Sequence, residues 1–193
     1  MTELLLTLIS AALINNIVLH LPLGIDPLLQ SPVDAGRAQV HALGIATTAL
    51  MLLSALPGQA IHHYLLAPLE LSYLRLFVFV PLCVLLITPV LAMLSRWLPA
   101  LPFTGLKPLL ITNAAILGLS LLSAEADKGL LYTAALSLGA GLGFWLVLSL
   151  FSDLRQRACN DDVPLPFRGL PIELISAGLM AMAFLGFNGL FKP

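Results

Sequence analysis

Charged residues are scarce in this sequence, because aspartate, glutamate, lysine and arginine together make up 10% of its 193 residues. A soluble domain carries about a quarter charged residues, so this chain lacks the polar surface that a globule in water needs. Its net charge of −1 also excludes the basic footprint of a nucleic-acid-binding protein. Apolar residues make up 59% of the chain instead. This composition predicts an integral membrane protein with a single domain over residues 1–193.

Cysteine is almost absent as well. Cys83 and Cys159 lie far apart in the sequence and have no CxxC spacing, which argues against a disulfide framework and against a cysteine-based zinc site. The N-terminal segment also lacks the basic region and the cleavage site of a signal peptide. We therefore interpret the first apolar stretch as a retained membrane span.

Six stretches of the chain are long and apolar enough to cross a bilayer, which takes about 20 residues. They cover approximately residues 3–23, 40–60, 69–94, 107–122, 130–151 and 171–191. The predicted fold is therefore all-α, with six transmembrane helices. Six of the nine basic residues fall in connections 1–2, 3–4 and 5–6, and three fall on the opposite side. Because basic residues favour the cytoplasmic side, we expect both termini in the periplasm.

An internal repeat divides the chain into two halves. Residues 14–19 (INNIVL) resemble residues 111–117 (ITNAAIL), and each segment begins a set of three predicted spans. Since three is an odd number, the second set enters the membrane from the other side. The sequence thus predicts two inverted three-helix repeats, over about residues 1–98 and 104–193.

The repeated segments place asparagine inside predicted spans 1 and 4. An amide in the bilayer is costly unless it forms hydrogen bonds, and inverted repeats place their working site where two broken helices meet. We therefore predict that helices 1 and 4 are broken, with irregular backbone at residues 20–27 and 107–113, and that Asn15, Asn16 and Asn113 meet near the midplane. The alternative is that these asparagines only hold neighbouring helices together.

Glycines in span 5 superficially resemble a nucleotide-binding GxGxxG motif. Gly139, Gly141 and Gly143 lie inside an apolar span and not after a strand, so close helix packing is the better interpretation. We expect Gly178 on span 6 to pack in the same way.

Several ionisable residues are candidates for a site. His20 and Asp26 flank the first predicted break, and lone ionisable groups at membrane depth are functional candidates. His62 and His63 could bind a metal ion, but adjacent residues on a helix point about 100° apart, which favours a solvated pair in a loop. Glu173 follows Pro171 and is expected to complement a helix N-terminus.

Motifs along the whole chain resemble one known family. The tail VPLPFRG (163–169) and SAGLMAMAFLGFNGL (176–190) resembles the RnfA subunit of the bacterial Rnf complex and the related NqrE subunit of the sodium-pumping quinone reductase. Other matching segments, in family order, are LINN (13–16), GIATT (44–48), LSYLR (71–75) and ITNAAILG (111–118).

This resemblance implies an inner-membrane complex that passes electrons between NADH and ferredoxin or a quinone, coupled to sodium or proton translocation. It implies a homologous six-helix partner of opposite topology, which is RnfE-like, and the further Rnf subunits RnfB, RnfC, RnfD and RnfG. It also implies a [2Fe-2S] cluster at the bilayer midplane, with two cysteines from each of the paired subunits.

The residues at the cluster positions differ from the family pattern. Asp26 and Ala114 stand where the family has its two cysteines, and neither Cys83 nor Cys159 aligns with them. Carboxylate is a poor substitute for thiolate in an iron–sulfur site, and alanine cannot bind iron. We therefore predict that any cluster at this interface is absent, labile or bound only by the partner's residues.

The preferred interpretation is a non-catalytic or electron-relay subunit that scaffolds the point where electrons cross the bilayer. One alternative is a small secondary ion transporter in which Asn15, Asn16, Asp26 and Asn113 coordinate the ion. Another is a degenerate paralogue with only a structural role.

Overall fold

A computed structural model describes residues 2–20, 36–126, 128–158 and 163–186 of the chain. Within these ranges the chain is almost entirely helical, and no β-strand occurs. The α-helices there are α1 (Thr2–Ile9), α2 (Ile17–His20), α3 (Arg37–Ile61), α4 (Arg75–Trp97), α5 (Lys107–Ile111), α6 (Ala114–Ala126), α7 (Leu130–Ala158) and α8 (Leu170–Leu185). Helix α1 continues as a π-helical turn, Ser10–Ile14, and α3 as a second one, His62–Leu66.

Four segments in the described ranges are long and apolar enough to cross a membrane, namely Arg37–Leu66, Ser72–Trp97, Lys107–Ala126 and Leu130–Ala158. Thr2–Ile14 and Leu170–Leu185 are shorter apolar helices. The predicted class, an all-α integral membrane protein, is confirmed. The division into six spans in two inverted repeats stays a prediction.

Helices α3 and α7 form the centre of the molecule and approach closely because glycines remove the side chains between them. Gly44 on α3 lies against the Trp145 side chain of α7, and Gly141 on α7 lies against Thr48 of α3. Trp145 Nε1 also donates a hydrogen bond to His41 Nδ1 at 3.0 Å. Residue numbers rise on one helix as they fall on the other, so α3 and α7 are antiparallel.

The other two glycines of α7 receive the first helix. Gly139 lies against Leu8 and Ala11, and Gly143 lies against the backbone of Ala12. The expected packing role of the span 5 glycines is therefore confirmed. The expectation for Gly178 was wrong: a Cβ there would meet no described atom within 4 Å, because this face of α8 turns away from the rest of the chain.

A ladder of polar side chains joins α3 to α6. Asn113 Nδ2 donates to Thr47 Oγ1 over 3.5 Å, and Ser120 Oγ donates to Ser54 Oγ over 3.2 Å. Each pair is separated by 66 residues, so the two helices run in the same direction. All four side chains are buried, where each hydrogen bond replaces one that water would otherwise make.

These contacts fix the direction of the two broken segments. The contacts of α1 with α7 rise together in number, so α1 is parallel to α7, whereas α7 is antiparallel to α3 and α3 is parallel to α6. Helices α1 and α6 therefore run in opposite directions. Each also packs on the central helix of the opposite half of the chain.

Ion pairs link helix ends on both sides of the bundle. Arg155 near the end of α7 donates to Glu173 in the first turn of α8 at 2.9 Å, and both side chains are only 7% exposed. Glu173 thus lies in the predicted first helical turn, with a buried partner that the sequence did not indicate. At the opposite end, Arg75 of α4 donates to Glu125 of α6, also at 2.9 Å.

Candidate functional site

The break in the first segment is built by Asn16. The backbone first widens into the π-helical turn, in which Asn15 N donates to Ser10 O at 2.7 Å. Asn16 then accepts a hydrogen bond from Val18 N on its Oδ1 at 3.0 Å and donates from Nδ2 to Ala12 O at 2.9 Å. A single side chain therefore caps the helix that ends and the helix that begins, and it is buried.

The break between α5 and α6 has the same cap. Asn113 Oδ1 accepts a hydrogen bond from Ala115 N at 3.1 Å, as Asn16 Oδ1 does from the amide two residues ahead. Asparagine suits this position because its short side chain can accept a hydrogen bond from a nearby amide at a helix N-terminus. Asn113 is also buried. Asn16 and Asn113 occupy matching positions in the repeated segments, INNIVL and ITNAAIL.

The predicted breaks are confirmed in kind and corrected in place. The first lies at Asn15 and Asn16, and His20, at the edge of the predicted range, is already helical; residues 21–27 lie outside the described residues. The second lies at Thr112 and Asn113, whereas residues 107–111 form a regular turn of helix.

The predicted meeting of the three asparagines is not what the structure shows. Asn16 bonds within its own segment, and Asn113 bonds to its own helix and to Thr47. No hydrogen bond among the described residues joins them, although α2 and α6 are in contact. Asn15 is exposed and donates to Ser10 Oγ at 3.2 Å. The local cap competes better for each amide than a distant partner does, because the freed backbone groups lie only a few residues away.

An open face runs past both breaks. Asn15 at the first break and Thr112 at the second are exposed, as is Ala114, the first residue of α6. Asn15 and Thr112 occupy matching positions, each directly before the buried capping asparagine. Polar groups in hydrocarbon are costly unless they are paired, so this face needs a cover that can accept them.

The residues at the family's cluster positions do not form a metal site in the described part of the chain. Ala114 offers no ligand, and Asp26 lies outside the described residues. No group of three or more histidine, cysteine or acidic side chains in the described ranges could hold a metal ion. The Cys83 thiol is buried within hydrogen-bonding reach of Ser54 and Ser120, as part of the helix packing. These residues do not fit a [2Fe-2S] cluster.

The histidine pair is not in a loop as expected. His62 and His63 lie in the π-helical turn that ends α3, because the helix continues beyond the predicted span end. His63 is exposed and packs edge-on against Tyr64, with 5.1 Å between ring centroids. The π-helical turns and the Asn16 cap were also missed from the sequence, and the repeated INN and ITN segments are the signal that could have assigned the cap.

Known proteins resemble this chain over its whole length. A family model described as "Rnf-Nqr subunit, membrane protein" matches residues 4–191. The chain is 42% identical over 197 residues to the RnfA-type protein of Pseudomonas aeruginosa (strain LESB58), which is named as a component of the ion-translocating oxidoreductase complex, and all of both chains is covered. The proteins of the same name from Thioalkalivibrio sulfidiphilus and Azotobacter vinelandii are each 41% identical, again with all of both chains covered.

Proposed function

Since this chain belongs to the Rnf-Nqr family of membrane subunits, we propose that it serves as the RnfA-type subunit of an ion-translocating oxidoreductase complex. The complex passes electrons between NADH and ferredoxin or a quinone and couples this to the movement of sodium ions or protons. The chain lies in the bacterial inner membrane with both termini in the periplasm, as the basic residues predict.

The architecture within this function is a pair of inverted three-helix repeats. Matching asparagine caps at Asn16 and Asn113 support it, as do the opposite directions of α1 and α6. The packing is also symmetric, because each broken segment lies on the central helix of the opposite repeat. Folds of this kind place their working region where the broken helices approach each other.

The observation that carries the role of this subunit is the open face at the two breaks. Asn15, Thr112 and Ala114 are exposed there, and the amide of Asn15 is poorly matched to lipid. A homologous six-helix subunit of opposite topology, with its own pair of breaks, is the partner that we propose for this face. The role of this chain is then to shape the membrane centre of the complex.

Cluster binding is not part of the proposed role, because the described residues do not fit it. If so, the Asp26→Ala variant keeps the iron content of the complex unchanged. The double variant Asp26→Cys with Ala114→Cys raises the iron content, because both thiolates return to a backbone break that is already formed. A stoichiometric cluster that disappears in the Asp26→Ala variant would contradict this proposal.

The test of complex membership is affinity purification of the tagged chain from native membranes. We expect flavoprotein and ferredoxin-like subunits to co-purify with a second six-helix subunit, and a deletion strain to lose ion uptake driven by NADH oxidation. Purification of the chain alone, with electron transfer unchanged in the deletion strain, would favour a small secondary ion transporter instead.

A further inference from the structure

We propose that a cavity between α1, α6 and α7 is the water-filled path by which a small cation reaches the break in the first segment from one face of the membrane. This inference rests on the proposed function in ion translocation and assigns a part of the route to this chain. It is independent of the open face used for the partner subunit, because it concerns the groove between three helices of this chain.

The cavity has the position and size of a half-channel. Its volume is about 760 Å³, and it extends along the first segment from Leu6 to Ile17. Eleven residues of helix span about 16 Å at 1.5 Å per residue, which is about half of the 30 Å hydrocarbon thickness. The end of α6 and the start of α7 form the other walls. The cavity thus leads from the helix ends near Glu125 and Tyr132 to the break at Asn15.

One wall of the cavity carries a polar stripe within an apolar helix. Thr7, Ser10 and Asn15 all line it, and they are the polar residues of this segment between Glu3 and the capping Asn16. Thr7 and Ser10 share a face at helical spacing, and the π-helical turn adds the extra residue that brings Asn15 near Ser10, to which it donates. A lipid chain would use none of these polar groups, whereas water and a hydrated cation use them all.

The inner end of the cavity offers oxygen atoms. In a continuous helix Ala11 O and Ile14 O would accept from the amides of Asn15 and Val18. Here Asn15 N donates to Ser10 O and Val18 N donates to Asn16 Oδ1, so both carbonyls lose these donors. Ala11 and Ile14 line the cavity. Carbonyl and amide oxygens are the ligands that hard cations take, and unwound backbone supplies them in membrane transporters.

The mouth of the cavity balances its charges. Glu125 lines the cavity and is paired with Arg75 at 2.9 Å, and Lys128 lies over the Tyr132 ring, 5.0 Å from its centroid. Glu3 begins the polar face of α1. Removal of the Glu125 charge would leave Arg75 unopposed at the mouth, and that change should oppose the passage of cations in particular.

The test is thiol labelling in the assembled complex, in native membrane vesicles, with Cys83 and Cys159 replaced by serine. Thr7→Cys and Ser10→Cys place a thiol in the cavity. Leu5→Cys and Leu13→Cys are matched controls on the same helix, at residues that do not line the cavity. We expect a membrane-impermeant cationic methanethiosulfonate to modify the first two at least ten times faster than the controls, from one side of the membrane only.

A second measurement tests cation passage. Adding Glu125→Gln to Ser10→Cys should slow the cationic reagent and accelerate an anionic one of similar size, as an unopposed Arg75 requires. Thiols at Thr7 and Ser10 that react as slowly as the controls would overturn the proposal, because lipid or a partner helix then fills the cavity. An equal response of both reagents to Glu125→Gln would also overturn it. Co-purification of the other subunits reports the proposed function separately, so that its failure is distinguishable.

Discussion

The contact of Gly141 with Thr48 gives a sharp test of the central helix pair. In a Gly141→Ala variant the added Cβ would lie 2.6 Å from Thr48 Cγ2, 2.8 Å from its Cα and 2.9 Å from its Cβ. Carbon atoms in contact normally lie about 3.5–4.0 Å apart, so α3 and α7 must separate by roughly 0.6–1 Å. Two of the three atoms belong to the rigid part of Thr48, so a rotamer change cannot relieve the clash.

The expected cost follows from overpacking, which destabilises by about 1–3 kcal/mol. A change of 1 kcal/mol shifts the melting temperature of a chain of this size by about 2–4 °C, so we expect a loss of roughly 2–12 °C. The assay is thermal unfolding of the purified complex in detergent. The matched control is Gly178→Ala, since a Cβ there meets no described atom within 4 Å and alanine favours helix over glycine by about 1 kcal/mol.

The control should melt at or above the temperature of the parent protein. If Gly141→Ala also melts like the parent, the helices do not touch at this glycine, and the antiparallel core is wrongly assigned. If Gly178→Ala is as destabilised as Gly141→Ala, then α8 uses its glycine as a packing surface.

Three further predictions concern the caps, the buried ion pair and the topology. Asn113→Ala should destabilise the complex by about 1 kcal/mol or more, through loss of an N-cap, whereas Thr112→Ala should change its melting temperature little, because Thr112 is exposed and bonds only within its own turn. Glu173→Gln should destabilise by about 3–5 kcal/mol, because it leaves a buried arginine without its counter-charge; a melting temperature within 2 °C of the parent's, about what 1 kcal/mol produces, would contradict the assigned burial. Reporter fusions at Lys192 should be active only in the periplasm and fusions near Arg157 only in the cytoplasm, and the reverse pattern would overturn the orientation.

The sequence predicted those features that depend on local pattern. Apolar stretches indicated the helices, and the INN and ITN segments indicated where two of them break. Glycine spacing in α7 indicated close packing, since Gly139 and Gly143 share one face of a helix and Gly141 lies on another. Each of these signals is contained within a few residues, so no knowledge of the other helices was required.

The features that were missed depend on partners that are distant in the sequence. Nothing near Glu173 shows that Arg155 will lie 2.9 Å away, and nothing near Gly178 shows that this face of α8 has no neighbour among the described residues. The choice between Asn15 and Asn16 as the cap depends on the π-helical turn, whose extra residue rotates Asn15 outwards. Local sequence did not predict that turn, because π-helices are rare and depend on tertiary context.

The crossed packing of the two halves has a consequence for biogenesis. His41 and Trp145, which join the central helices, are 104 residues apart, and a ribosome adding about 5–20 residues per second needs roughly 5–20 s to bridge them. During that interval the first three helices are in the membrane without α6 and α7. Thr47 and Ser54 then face the bilayer without their hydrogen-bond partners on α6, and the α1 surface that α7 will cover is open. The nascent first half therefore depends on the insertion machinery for shelter, and we expect it to be degraded when synthesised alone and rescued when the second half is supplied as a separate chain.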